Sequence, residues 1–397
     1  MKENNTEARR IAPADRLASV QEYYFSRKGK EVAAMNKAGQ DVISLAIGSP
    51  DMPPSKETID EMCRESHNPD AHGYQPTNGT QFFREALASF YQTAFGVALD
   101  PTSEVLPSIG SKEAILHITL AFVNPGEKVL VPNPGYPTYT SLSRLLGAEV
   151  VYYDLKPEND WQPDFDQLEA MDLTGVRLLW CNYPHMPTGA AAKRETLERL
   201  VEFSRRHGIV VVNDNPYSFI LSKQHLSLLQ VPGAKETCIE LNSMSKSHNM
   251  PGWRIGVIAT NREFISWIYK VMSNIESGRS LPLQRAAAVA LRNTPEWHEE
   301  ANFNVYARRR RYAEAIMQVL GCEFRPDQVG MFLWGRIPST YASAEELTER
   351  VLHEARVFIT PGFIFGSNGE RYIRISLCAK EDKLAAALER IREVFNS

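Results

Sequence analysis

Short apolar runs alternate with amphipathic stretches along most of the chain. Residues 41–51, 104–110, 127–133, 148–155, 177–182, 209–214, 237–242 and 257–260 are β-branched or apolar and bounded by Gly, Pro or Asn, the pattern of buried strands. Between them lie helical spacings. Residues 81–95 form one. Residues 111–123 form another, with Ile115, Ile118 and Phe122 on one face, and residues 140–146 a shorter one. Residues 193–207 carry Leu197, Leu200 and Val201 on one face and stop at Gly208, which suits the left-handed position after a helix. This alternation predicts an α/β fold with a large, mainly parallel sheet.

From about Thr294 the order changes to helix, strands, helix, which predicts a smaller α+β domain. Its strand 371–377 alternates, with Tyr372, Arg374 and Ser376 on one face and Ile373, Ile375 and Leu377 on the other. A closing helix over 383–395 has Leu384, Leu388, Ile391 and Phe395 at helical spacing. The first 40 residues read as a polar arm with a helix over 14–38, whose pattern is broken by Tyr23, Tyr24 and Phe25. The expected units are an arm over 1–45 that joins the small domain, a large domain over 46–293 and the small domain over 294–397.

Composition narrows the class. Over 397 residues, 43% are hydrophobic and 23% charged, as in soluble globular proteins. A net charge of -4 gives no general attraction to nucleic acid or anionic membrane. The run Arg308-Arg-Arg-Arg311 reads as a solvated helix face. Cys63, Cys181, Cys238, Cys322 and Cys378 are scattered and form no CxxC pair, so neither a metal site nor a disulfide framework is expected. Reduced thiols fit a cytoplasmic location. No apolar leader or bilayer-length run is present, and neither GxGxxG nor GxxxxGK[ST] occurs.

The chemistry concentrates in Ser243-Met-Ser-Lys-Ser-His-Asn-Met-Pro-Gly-Trp-Arg-Ile-Gly256. Lys246 falls just past a strand end, among Ser243, Ser245 and Ser247 and ahead of Arg254. An ε-amine condenses with an aldehyde to a Schiff base, and the aldehyde cofactor held this way is pyridoxal phosphate, an electron sink for carbanions. Its phosphate needs hydroxyls and a fixed cation, which Ser243 and Arg254 supply. Gly110 and Ser111 stand at a strand-to-helix junction. Free N–H groups there suit phosphate, although such a pair taken by itself is more often a simple N-cap. Asp214 closes an apolar strand; it is either a turn aspartate or a buried carboxylate that needs a cation, for which a protonated pyridine nitrogen would serve. Tyr217, three residues on, can donate to the ring oxygen.

Ser243-x-x-Lys246 followed by Gly252-Trp-Arg254-x-Gly256 resembles the cofactor-lysine signature of the fold type I pyridoxal-phosphate aminotransferases, class I/II, the aspartate aminotransferase superfamily. Ile109-Gly-Ser-Lys112-Glu113, Asn182-Tyr-Pro-His-Met-Pro-Thr-Gly189 and Ser245-Lys-Ser-His-Asn-Met-Pro-Gly-Trp-Arg-Ile-Gly256 are similar to the LL-diaminopimelate aminotransferase branch. The resemblance implies further roles. Gly48 lies in the loop beside the substrate carboxylate, and Arg374 binds that carboxylate. Tyr136 stacks on the cofactor ring, and Asn182 belongs to a cofactor-binding loop. Gly110, Ser111 and Lys112 form the first phosphate loop. Tyr74 reaches the phosphate of a neighbouring subunit, which implies a homodimer. The implied partners are otherwise small amino acids and 2-oxo acids.

Met186 departs from that pattern, because the family has an asparagine there that bonds the cofactor's ring oxygen. A thioether is a weak acceptor and cannot donate, so the expectation is a Schiff-base pKa above that of a Met186→Asn variant. His248 and Arg279-Ser280-Leu281 also depart. The implied activity is amino-group transfer. A β-eliminating lyase on the same fold, a cofactor-binding sensor and a cofactor-free structural homologue are the alternatives.

Overall fold

A computed structural model describes residues 11–20 and 22–395. The first ten residues of the expected arm lie outside them. The large sheet has seven strands: β1 (Val105–Ser108), β2 (Lys128–Asn133), β3 (Glu149–Asp154), β4 (Val176–Cys181), β5 (Val210–Asp214), β6 (Cys238–Ser243) and β7 (Gly256–Ala259). Their order is β1-β7-β6-β5-β4-β2-β3. The pairs β2–β3, β2–β4, β4–β5 and β5–β6 are parallel, and only β7 runs against its neighbours β1 and β6.

The central strands are apolar on both faces because both faces are covered. Leu179, Val211 and Cys238 join one core cluster, whereas Leu178, Trp180, Val212, Ile239 and Leu241 join another with Ile115 and Ile118 of helix Ser111–Phe122. The expected α/β architecture is the observed one.

A second sheet is antiparallel throughout. It places Thr360–Pro361 beside Tyr372–Ser376, then Phe332–Arg336, then Glu323–Phe324. Helices Val305–Val319, Ala344–Ala355 and Glu381–Phe395 accompany it. Ile43–Ser44 pairs in parallel with Val357–Phe358.

Three expectations change. The long N-terminal helix is a short turn, Asp15–Ser19, and a helix over Tyr24–Lys37. The strand expected over 41–51 shrinks to two residues, since past Leu45 the carbonyls of Ala46, Ile47 and Gly48 accept from side chains instead of a neighbouring strand. The arginine run is solvated only at Arg308 and Arg311. The Arg309 side chain is only 6% exposed and forks onto Asp51, and Arg310 donates to the carbonyls of Pro326 and Gln328. Strand Tyr372–Ser376 likewise buries both faces, with Arg374 4% and Ser376 1% exposed.

Candidate active site

The chain ends of β1, β4, β5 and β6 and the start of β7 meet at one edge of the sheet, where open α/β sheets bind ligands. A cleft of about 320 Å³ opens there, walled on the far side by Phe332, Phe365 and Arg374. Ser111, Lys112, Tyr136, Asn182, Asp214, Tyr217, Ser243, Ser245, Lys246, Arg254, Gly48 and Arg374 all line it. Gly110 sits behind this lining. Its φ is +76° and a Cβ there would collide with the Arg254 guanidinium. Tyr74 is not brought in; it is 93% exposed and borders a separate depression with Gly278 and Ser280.

Lys246 lies on the one-turn helix Met244–Ser247, capped by the Ser243 hydroxyl, which accepts from the Ser245 N–H at 3.1 Å. The strand before it and β7 after it are paired, with Ser243 opposite Gly256. That pairing returns Arg254 to the same end of the sheet as Lys246. Burial, with the nearby Arg374 and Arg254 charges adding to it, holds the lysine's pKa below its ordinary value. Its Nζ donates to the Gly48 carbonyl.

Arg254 holds φ at 56°, left-handed for a residue with a Cβ, and such strain tends to gather at functional sites. Nη1 donates to the Pro251 carbonyl at 2.9 Å and Nη2 to the Ile109 carbonyl at 3.2 Å. These bonds aim the guanidinium across the N-terminus of helix Ser111–Phe122. Ser111 Oγ is buried there without a partner.

Asp214 ends β5 and is 4% exposed. Burial pushes its carboxyl up to about 6, against the pull of the Tyr139 hydroxyl, which donates to Oδ2 at 3.0 Å. Oδ1 is buried with no partner. Asn182 is committed to the protein: Nδ2 donates to the Asp214 carbonyl and Oδ1 accepts from the Met186 N–H at 2.8 Å. Burial also raises the Tyr217 and Tyr136 phenols.

Arg374 is held in an aromatic cage. Its guanidinium carbon lies 3.9 Å from the Phe332 ring centre and 4.7 Å from that of Phe365. Nη2 donates to the Ala46 carbonyl at 2.7 Å, Nη1 reaches Met186 Sδ at 3.3 Å, and Nε is unpartnered. Burial brings its pKa down to about 10, so it remains a cation at neutral pH.

Sequence reasoning missed Tyr139, Phe332 and Phe365. The tyrosine's helical position gives no sign of a partner 75 residues away. Tyr23 and Phe25, which broke the arm's pattern, do line the cleft, and Lys112 Nζ lies 5.2 Å from the Tyr23 ring centre.

The residues fit pyridoxal phosphate on their own chemistry. A buried hydroxyl and a fixed arginine meet at a helix N-terminus, a buried carboxylate oxygen lacks a cation, and an amine of depressed pKa stands between them.

Comparison with known proteins agrees. The family model for aminotransferase class I and II matches residues 40–391. An LL-diaminopimelate aminotransferase of Dehalococcoides mccartyi is 39% identical over 379 residues, covering 95% of this chain and 97% of that protein. One of Aquifex aeolicus is 38% identical over 383 residues, covering 96% and 98%. Among solved structures, apo-BacF from Bacillus subtilis aligns with a TM-score of 0.92 at 33% identity, covering 97% of this chain and 98% of that one. An aromatic aminotransferase from Pyrococcus horikoshii aligns at 0.84 and 30%, covering 92% and 98%.

Proposed function

The chain belongs to the class I and II aminotransferases, and from that premise we propose the roles of its cleft residues. It is a pyridoxal-phosphate-dependent enzyme that moves an amino group between an amino acid and a 2-oxo acid. When bound, the cofactor supplies the electron sink that makes the substrate's α-proton removable.

Lys246 anchors the cofactor and, once released, carries the α-proton on Nζ as general base and then general acid. Its depressed pKa leaves a larger share of the amine free to accept that proton. Asp214 offers its unpartnered oxygen to the ring nitrogen and keeps it protonated. Ser111, Ser243, Ser245 and Arg254 hold the phosphate, with Gly110 giving Arg254 room and Lys112 adding charge at that rim. Tyr136 covers the ring face, Tyr217 donates to the ring oxygen, and Asn182 fixes the loop that carries Met186. Arg374, already desolvated by Phe332 and Phe365, receives the substrate carboxylate; Gly48 lets that end of the substrate pass close to the backbone. Tyr74, turned outward, serves the cleft of a second copy in a homodimer. The units proposed are those read from the sequence: an arm to 45, a large domain to 293 and a small one beyond. The proposed location is cytoplasmic, in keeping with free cysteines at 63, 181, 238, 322 and 378; among the described residues no helix is long and apolar enough to cross a membrane.

The buried Asp214 oxygen and Lys246 amine facing one cleft carry this reading. The names of the relatives favour LL-diaminopimelate as one amino donor. The experiment is reconstitution with pyridoxal phosphate, borohydride reduction and mapping of the label, followed by glutamate or LL-diaminopimelate with 2-oxo acids. Label on Lys246 and amine transfer are expected. A Lys246→Ala variant with full turnover would overturn the assignment.

A further inference from the structure

One ion pair outside the cleft, with Arg309 buried and Asp51 at the surface, sits at the end of the loop to which Lys246 and Arg374 both donate. Four consecutive carbonyls of that loop are engaged. Leu45 O accepts from the Ser376 N–H at 2.8 Å, Ala46 O from Arg374 at 2.7 Å and Ile47 O from the Ser376 hydroxyl at 2.8 Å, while Gly48 O accepts from Lys246. The loop thus touches the amine and the guanidinium at once. At its far end Asp51 takes a two-pronged bond from Arg309, Nη1 to Oδ1 at 2.7 Å and Nη2 to Oδ2 at 3.0 Å. Arg309 Nη1 also donates to the Leu377 carbonyl at 3.2 Å, the residue after the strand that bears Arg374.

The link from Asp51 back to Gly48 is stiff. Pro50 has its φ locked by the ring, and Ser49, preceding it, is restricted as well. Gly48 is wedged too, since a Cβ there would collide with the Phe332 ring. Displacing Asp51 therefore displaces the Gly48 carbonyl rather than being absorbed between them.

We infer that Arg309 is a positioning residue: through Asp51 it sets the loop Leu45–Asp51, and so the mutual placement of Lys246 and Arg374. A lysine at 309 would keep the charge but not the fork that fixes direction. This rests on the cleft being the aminotransferase site.

The test compares wild-type holoenzyme with Arg309→Lys, Arg309→Met and the double variant Asp51→Asn/Arg309→Gln. Thermal stability, kcat and KM for the amino donor, and amide exchange of residues 45–51 are measured on each. Arg309→Met leaves Asp51 unpaired and should lower Tm. The double variant leaves no lone charge, so its Tm should recover. Its kcat/KM should stay down roughly ten- to a hundredfold, as expected for misplaced reacting groups, with exchange of 45–51 faster than in wild type. Arg309→Lys should fall between. A double variant with wild-type kcat/KM, or loop exchange unchanged in every variant, overturns the inference and leaves only a structural ion pair. Wild-type enzyme that transfers no amine would sink the functional reading instead, while loop exchange would still judge Arg309.

Discussion

The Tyr139 hydroxyl donates to Asp214 Oδ2 at 3.0 Å, and the Tyr139 ring lies flat on Trp180, 5.0 Å between centres and 3° between planes. The stacking fixes the ring, so the hydroxyl is held on the carboxylate that faces the cleft. Tyr139→Phe keeps the stack and removes the bond. Hydrogen bonds to charged groups contribute about 1.5–3 kcal/mol, so kcat/KM should fall by roughly ten- to a hundredfold. The lost bond had been lowering the Asp214 pKa, so the acid limb of the pH profile should move to higher pH. A variant with an unmoved limb and full activity would mean that Tyr139 only fills space.

Gly110→Ala tests the phosphate corner. The new methyl would strike the Arg254 guanidinium at a backbone position with φ +76°. Arg254 must then leave the helix N-terminus. The dissociation constant for pyridoxal phosphate, read by absorbance titration of the apoprotein, should rise at least about tenfold, or about 1.4 kcal/mol. Unchanged affinity would take Arg254 out of the phosphate site.

Met186→Asn replaces the thioether beside Arg374 Nη1 with an amide that can also donate. The absorbance of the lysine-bound cofactor should then titrate at lower pH than in the natural chain. Equal midpoints would show that the missing asparagine bond is made up elsewhere.

Glu240 gives a test of stability away from the cleft. It is fully buried on β6; Oε2 accepts from the Leu228 N–H at 2.7 Å, and Oε1 has no partner. Burial pushes its pKa up from 4.5 to about 7. Between those values the folded chain keeps a proton that the unfolded chain has released. Its contribution to stability therefore falls as pH rises through that window, and the penalty is complete above pH 7. Glu240→Gln does not titrate. It should exceed wild type in stability by up to about 3 kcal/mol at pH 8 and lose that advantage below pH 4.5. Urea unfolding at pH 4 and pH 8 measures the gap; a gap independent of pH would refute the buried-charge account.

Much of this was legible because strand ends are local signals. The runs ahead of Gly110, Tyr136, Asn182, Asp214 and Lys246 are apolar and punctuated, and the observed strands stop within a few residues of each. What stayed hidden depends on tertiary contact. Four successive arginines point in four directions around a helix, and nothing in the run tells which one turns inward to Asp51. Tyr372, Arg374 and Ser376 alternate with apolar residues as they would on a solvated strand face, yet that face meets the cleft and the loop Leu45–Asp51. Polar periodicity cannot separate solvent from a binding site. Tyr23 and Phe25 stood out as irregular, but where they pack follows from the chain path alone.

The reversed strand β7 sets the distance between the two groups that flank its turn. Because Ser243 and Gly256 face each other across an antiparallel pair, the amine and the guanidinium are the two jaws of a clasp hinged at that rung. Its span is set by the ladder, and the linker between the jaws is itself packed inside, with Ser247, His248, Asn249 and Met250 all buried, so the grip keeps one width.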